Sequence, residues 1–253
     1  MDGVVTLTEA APGVALITLQ DREHRNTFTR ALTAGLLDAY ASIAREPRYR
    51  AVIITGYDSY FSTGGTRDDL LVLQEGRHFF DEVDMMRPAL NCELPVISAM
   101  QGHALGGGLS MGLFSDFVVL SRESVYSASF MKYGFTPGMG ATLILPLRLG
   151  FNLGYEMLMN GEDFQGADLQ RRGVDLPVLP RKEVLPYAIR LATGLAEKPR
   201  DALVTLKAHM VRDIKARLDE TVKAEIEMHR RTMHRPEVRD RIEAIFEEQR
   251  SPL

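Results

Sequence analysis

Two glycine-bearing stretches and one histidine carry most of the chemistry legible in this chain. The stretch QGHALGGGLSMG (101–112) sets Gly106, Gly107 and Gly108 just after the β-rich run Pro95–Met100. Three glycines in a row cost backbone entropy, so something must need the bare backbone there. At a helix start, Gly107 can aim its N–H at an oxygen that develops negative charge. The stretch FSTGGT (61–66) follows the apolar run AVIITG (51–56). Two such loops, each after a parallel strand, can converge two N–H groups into an oxyanion hole. Spacing alone fits two ordinary tight turns more simply. Position 111 is methionine, so the third glycine of G-x-G-x-x-G is missing, and no G-x-x-x-x-G-K-[ST] run exists. The triplet therefore does not read as a nucleotide cradle.

His229 stands out among the six histidines. Ile214, Leu218, Val222 and Ile226 form one helical stripe, with His229 in its middle and Met233 close behind. Such a histidine is most often a satisfied core residue, and periodicity alone leaves catalysis as the second reading. His24, His78, His103, His209 and His234 show no metal-ligand spacing, so no metal is expected. Cys92 has no local histidine partner and reads as a small buried hydrophobe. The basic clusters AREPRYR (44–50) and HRRTMHR (229–235) read as solvated surface, with docking of an acidic partner as the alternative.

The elements that must hold these residues alternate. VVTLTE (4–9) and GVALITL (13–19) predict strands around the turn Ala11-Pro12-Gly13. The stripe Leu32, Leu36, Leu37, Tyr40, Ile43 predicts a helix over 29–44. AVIITG, PVISAM and DFVVLS (116–121) read as strands buried on both faces, with a helix starting in the glycine triplet. After residue 140 no further strand is expected. PRDALVTLKAHMVRDI and ARLDETVKAEIEMHRRTMH are amphipathic, and Pro236 suits the first turn of a last helix. The division expected is an α/β body over 1–180 and a helical region over 181–253.

Composition bounds the function classes. The chain has 253 residues, 45% hydrophobic and 25% charged, with net charge −4, which gives no reason to expect nucleic acid as the main partner. A single cysteine rules out an intrachain disulfide and fits a reducing cytosol. The start lacks a basic n-region, and no apolar stretch reaches the roughly 18 residues that span a bilayer. A cytoplasmic protein without membrane contact is expected.

The chain resembles the enoyl-CoA hydratase/isomerase (crotonase) superfamily. The resemblance rests on GVALITLQDREHRNTFT, YFSTGGT, PVISAMQGHALGGGLSMGLFSDFVV, GFTPGMGATLILPLRLG and LMNGEDFQGADLQRRGVDLPVLP, in that order over most of the chain. It implies a spiral of ββα units, a helical C-terminal trimerisation region and a homotrimer or dimer of trimers. It also implies a thioester whose carbonyl oxygen sits between the N–H groups of Gly65 and Gly107. On that reading the glycines make room for a thioester enolate.

Hydratases of the superfamily carry two glutamates where this chain has Ser110 and Phe130. Hydration needs a base to activate water and an acid to protonate carbon, and this pair supplies neither. A subfamily similar to this chain also lacks those carboxylates and shares MQGH, FMKYGFTPG and close versions of SDFVVLSRESVY and EKPRDALVTLK. It is the decarboxylating homologue of polyketide β-branching cassettes. That resemblance implies loss of carbon dioxide from a 3-methylglutaconyl group on acyl carrier protein, giving 3-methylcrotonyl, with no cofactor beyond the carrier's phosphopantetheine. His229 matches its C-terminal-helix histidine, proposed there as proton donor. Thr66, Leu70, Leu73, Ser110, Phe130 and Met131 are the expected substrate-side residues. Some members hold the leaving carboxylate with a lysine and a tyrosine; the aligned positions here are Leu73 and Asp69, which leaves Arg67 as a candidate. The alternatives are an isomerase or other crotonase reaction on CoA esters, and a non-catalytic binding scaffold.

Overall fold

The computed structural model describes residues 3–76 and 85–248; His78 lies outside them. The chain opens on a hairpin of β1 (Val5–Ala11) and β2 (Val14–Leu19), and α1 (Arg30–Arg45) follows. The Thr29 hydroxyl caps α1 by accepting from Leu32 N. Three ββα turns come next. The first is β3 (Ala51–Thr55), β4 (Tyr60–Ser62) and α2 (Arg67–Gln74). After the short α3 (Arg87–Asn91), the second is β5 (Val96–Met100), β6 (His103–Leu105) and α4 (Gly107–Leu113). The third is β7 (Phe117–Ser121), β8 (Val125–Ser127), a 3-10 helix (Ser129–Tyr133) and α5 (Ala141–Leu149). Then come α6 (Phe151–Asn160), β9 (Asp163–Gln165), α7 (Gly166–Arg171) and β10 (Val178–Leu179). The chain finishes with α8 (Arg181–Ala196), α9 (Arg200–Met210), α10 (Arg212–Thr232) and α11 (Pro236–Glu248).

First strands of the turns join one sheet in the order β1-β2-β3-β5-β7-β10, parallel except for β1 against β2. Second strands join another, β4-β6-β8-β9. This is the expected ββα spiral. Period-two alternation explains why the main strands read as unbroken apolar runs. Val52, Ile54, Val96 and Leu120 face the large interior core. Ala51, Ile53, Ile97 and Val119 face the opposite way, onto Val184, Ala188 and Ala192 of α8.

The structure departs from the sequence expectations in three places. Strands do not stop at 140: β9 and β10 add to the edges of both sheets. At three and two residues they are too short to show periodicity. The helix predicted over 199–214 breaks at Val211, which ends α9 and begins α10. On α1, Ala39 is buried and Leu37 is 48% exposed, so the stripe is narrower than its leucines indicate.

Candidate active site

Both glycine loops leave the second sheet at the same end, Gly64–Gly65 just after β4 and Gly106–Gly108 just after β6. The first is tied down by the preceding loop. Asn26 is fully buried and donates to Leu19 O and Phe61 O at 3.1 and 2.9 Å. Ser62 Oγ donates to Asn26 O, Thr63 Oγ1 to Arg25 O, and Phe28 N to Gly64 O at 2.8 Å. The second is set by Gly106, at φ 52° and ψ −121°, whose N–H donates to Ser127 O before α4 begins at Gly107. A methyl group on Gly64 would stand 3.1 Å from Gly107 N. The two loops are therefore back to back.

Gly107 and Gly108 have a packing reason beside the one expected. A Cβ on Gly107 would lie 2.5 Å from Met139 Sδ and 2.8 Å from Phe28 Cε2. On Gly108 it would run into the carbonyl of Ser62. On the Cβ side the bare backbone admits the protein's own atoms. Gly65 is unlike them: its nearest neighbour would be Leu70 Cδ2 at 3.5 Å, an ordinary contact.

His229 is 6% exposed on α10. Its ring lies 5.8 Å from that of Phe135, and a methyl on Gly138 would overlap its Cε1. Met139, next along, is the residue against Gly107. The histidine and the second glycine loop are thus separated by one short segment. Nδ1 is 3.0 Å from Glu225 O, and a carbonyl can only accept, so Nδ1 carries the proton of the neutral ring. That leaves Nε2 as the ring nitrogen without a proton. Burial pushes the imidazole down to about 4. The resting ring is therefore neutral at pH 7.

The remaining expected residues divide. Phe130 is buried, with its ring edge-on to Phe135 at 6.3 Å, so an aromatic wall leads from it to His229. Ser110 is fully buried on α4, and its Oγ has no hydrogen-bond partner among the described residues. A buried orphan hydroxyl costs about 1–3 kcal/mol, which marks it as a group that a ligand or water can satisfy. Leu70 packs under Gly65, and Leu73 is half-buried against the interior core. Thr66 caps α2: its hydroxyl accepts from Asp69 N and donates to Asp69 Oδ2 at 2.6 Å. Asp69 is therefore committed to that cap. Met131 stands against Gly161 rather than among the groups around Gly107. Arg67 pairs with Asp68 and Glu243 at 3.4 and 3.8 Å.

A cavity of about 430 Å³ opens beside the loops. Thr63, Leu105 and Ser129, which adjoin the two glycine loops, are part of its lining; Arg25, Lys132, Tyr133, Ile245 and Phe246 are others. Sequence reasoning missed Phe28, Phe135, Met139 and Glu225. Met139 sits between two glycines in PGMGA, a cue for its left-handed φ of 58°. Nothing in the local sequence marks Glu225 as buried; the stripe predicts Ile226, yet Glu225 is the one fully covered.

This fold and these paired glycine loops are those of the enoyl-CoA hydratase/isomerase family, to which the chain belongs; residues 9–253 match its family model. The chain is 52% identical over 243 residues to the bacillaene synthase decarboxylase PksI of Bacillus subtilis (strain 168), covering 96% of this chain and 98% of that protein. A solved structure from a dehydratase/decarboxylase enzyme couple involved in polyketide β-branching superposes with a TM-score of 0.94. It is 52% identical, over 96% of this chain and 99% of that one. The ECH2 decarboxylase domain of CurF from Lyngbya majuscula gives a TM-score of 0.94 at 44% identity, over 97% and 100% of the two chains.

Proposed function

We propose that the protein is a decarboxylase acting on a 3-methylglutaconyl thioester carried on acyl carrier protein, giving 3-methylcrotonyl-carrier in polyketide β-branching. The observation that carries this reading is what replaces the two glutamates beside a paired-glycine site: a buried serine and a buried aromatic wall. Similarity to proteins described as polyketide decarboxylases supports it.

Electrons of the bond to the leaving carboxylate pass through the carbon–carbon double bond to the thioester oxygen. The N–H groups of Gly65 and Gly107 receive that charge, and loss of one such donor typically costs about a hundredfold or more in rate. Phe130 and Leu70 give the carboxylate an apolar setting that favours its departure as neutral carbon dioxide. The dienolate then takes a proton at its terminal carbon from Nε2 of His229. That proton is not on the resting ring. The incoming carboxylate favours the imidazolium, so the proton reaches Nε2 with the substrate and leaves it for carbon. Carbon dioxide departs, one proton is consumed, and no metal, flavin or nicotinamide enters the balance.

The phosphopantetheine arm enters through the cavity beside the loops. The exposed apolar stripe Phe151, Tyr155 and Met159 on α6, with Leu147, supports self-association, and light scattering on the eluted protein checks for the trimer or dimer of trimers that the family resemblance implies. Among the described residues no helix is long and apolar enough to cross a membrane. The deciding experiment incubates the protein with the carrier-bound acid and, separately, its CoA ester, followed by mass spectrometry. Loss of carbon dioxide, faster on the carrier, is expected. Hydration of crotonyl-CoA at an ordinary hydratase rate would overturn the reading.

A further inference from the structure

One face of α10 docks along the segment 136–142 in antiparallel order, through three successive contacts. Thr232 meets Thr136, with their hydroxyls 3.0 Å apart and Thr136 N donating to Thr232 Oγ1. The His229 ring meets Gly138. Glu225 meets the start of α5: Oε2 accepts from Gly140 N at 2.7 Å, and Oε1 from Thr142 N and Thr142 Oγ1 at 2.9 and 2.6 Å.

The third contact is chemically unusual. Glu225 is 2% exposed, and burial raises its carboxyl above the ordinary carboxylate range. A chain tolerates a buried acid only when its oxygens are well used. Here they satisfy donors that α5 leaves open, because its N-cap is Gly140, with no side-chain cap and no acidic residue in its own first turn. The carboxylate thus clamps both the start of α5 and the Gly138–Gly140 segment before it. That segment touches His229 on one side and, through Met139, Gly107 on the other. The backbone carbonyl of the same Glu225 holds Nδ1 of His229.

We infer that Glu225 is a positioning residue for His229, its carboxylate fixing the ring's place relative to the Gly107 loop by clamping α10 onto the start of α5. The inference rests on the reading of His229 as the proton donor. A purely structural staple would hold the helices together without affecting proton delivery. The two roles separate by experiment.

Glu225→Gln keeps the shape but turns one acceptor oxygen into an NH2 that faces a backbone or hydroxyl donor. Kinetics on the carrier-bound acid are measured for Glu225→Gln, His229→Gln and the double variant, alongside nitrogen NMR of the histidine rings in the full chain. For Glu225→Gln, kcat is expected to fall about tenfold to a hundredfold with KM little changed, the scale of a small misplacement of a reacting group. Ring signals of His229 move, and the double variant is no slower than His229→Gln alone. An equal slowing in both backgrounds with unmoved ring signals would make Glu225 a staple only, and would overturn the inference. If Glu225→Gln does not fold, Thr142→Ala, which removes one donor, must show the same non-additivity and the same ring shift; unmoved values overturn it. If His229→Gln runs at full rate, the proton-donor reading fails by itself. Movement of the ring signals in Glu225→Gln then supports the positioning, and their constancy sinks it.

Discussion

At the scale of single residues, burial leaves the His229 ring neutral at rest, and the proposed mechanism has it take its proton only with the substrate. His229→Gln retains a polar side chain but no acid, and kcat for product formation is expected to drop by about 10²–10⁴, the usual share of general acid–base catalysis. The same burial has a consequence for folding. The ring's ordinary value is 6.5 and its folded value about 4, so between those pH values the unfolded chain holds the extra proton. Stability therefore falls as pH falls through that window, by about 3 kcal/mol at its lower end. Glu225 acts oppositely, since a raised carboxyl contributes most at low pH and less as pH rises through it. Its contribution is common to wild type and the His229 variant and cancels in their difference. Denaturant titrations at pH 7 and pH 4.5 should show wild type losing more stability than His229→Gln; an equal loss would mean the ring is not buried neutral. The two proposed oxyanion donors, Gly65 and Gly107, also separate at this scale. Gly65→Ala meets only an ordinary contact and should retain the fold and most of kcat. Gly107→Ala pushes into Met139 and Phe28, with an overpacking cost of about 1–3 kcal/mol and loss of kcat. Melting curves and kcat for both variants check this, and equal tolerance would mean the Gly107 loop is freer than its contacts show.

At the scale of elements, what was legible depended on length and on locality. β3, β5 and β7 are read from unbroken Val/Ile-rich runs because both faces are covered, and α4 is placed correctly by the glycines that begin it. β9 and β10 escape because so few residues cannot show a period. The site followed the same rule. Loop chemistry and helix phase made Gly107 and His229 stand out, and only the family resemblance paired Gly65 with Gly107 and gave His229 a role, whereas Glu225 makes its hydrogen bonds 83 to 85 residues away, where no local pattern reaches. The loops' convergence was one of two readings the sequence left open, and the pairing of β4 with β6 brings the loops together. That pairing makes Gly108 the most demanding of the triplet. A Cβ there meets the backbone carbonyl of Ser62, which cannot swing aside as a methionine side chain can. Gly108→Ala should therefore lower the melting temperature more than Gly107→Ala, and the reverse order would show that β4 yields more easily than Met139.

At the scale of the whole molecule, the proposed carrier-borne substrate needs a way in. The cavity's lining joins Thr63, Leu105 and Ser129 beside the glycine loops to Arg25, Lys132 and the Ile245–Phe246 pair of α11. The sequence left docking of an acidic partner on the 229–235 cluster, which holds Arg230 and Arg231, as the alternative to plain solvated surface. In the structure both arginines pair with Glu227 along the exposed face of α10, at 3.3 and 3.4 Å, so their charge is largely answered within the helix. Lys132 is likewise paired, with Asp163 at 2.6 Å. Arg25 is different in kind: its guanidinium lies over the Tyr60 ring at 5.7 Å, a contact that leaves its charge able to attract an acidic surface. Charges at the rim of an interface mainly alter the rate of encounter, and do so more at low salt. Arg25→Glu should therefore raise KM for the carrier-bound acid several-fold more than for a pantetheine thioester of the same acid, with the gap closing as salt is added. Arg230→Glu with Arg231→Glu should shift both substrates alike. The opposite pattern, with selectivity lost at Arg230 and Arg231 and kept at Arg25, would place the carrier on the outer face of α10 and require the arm to enter by another route.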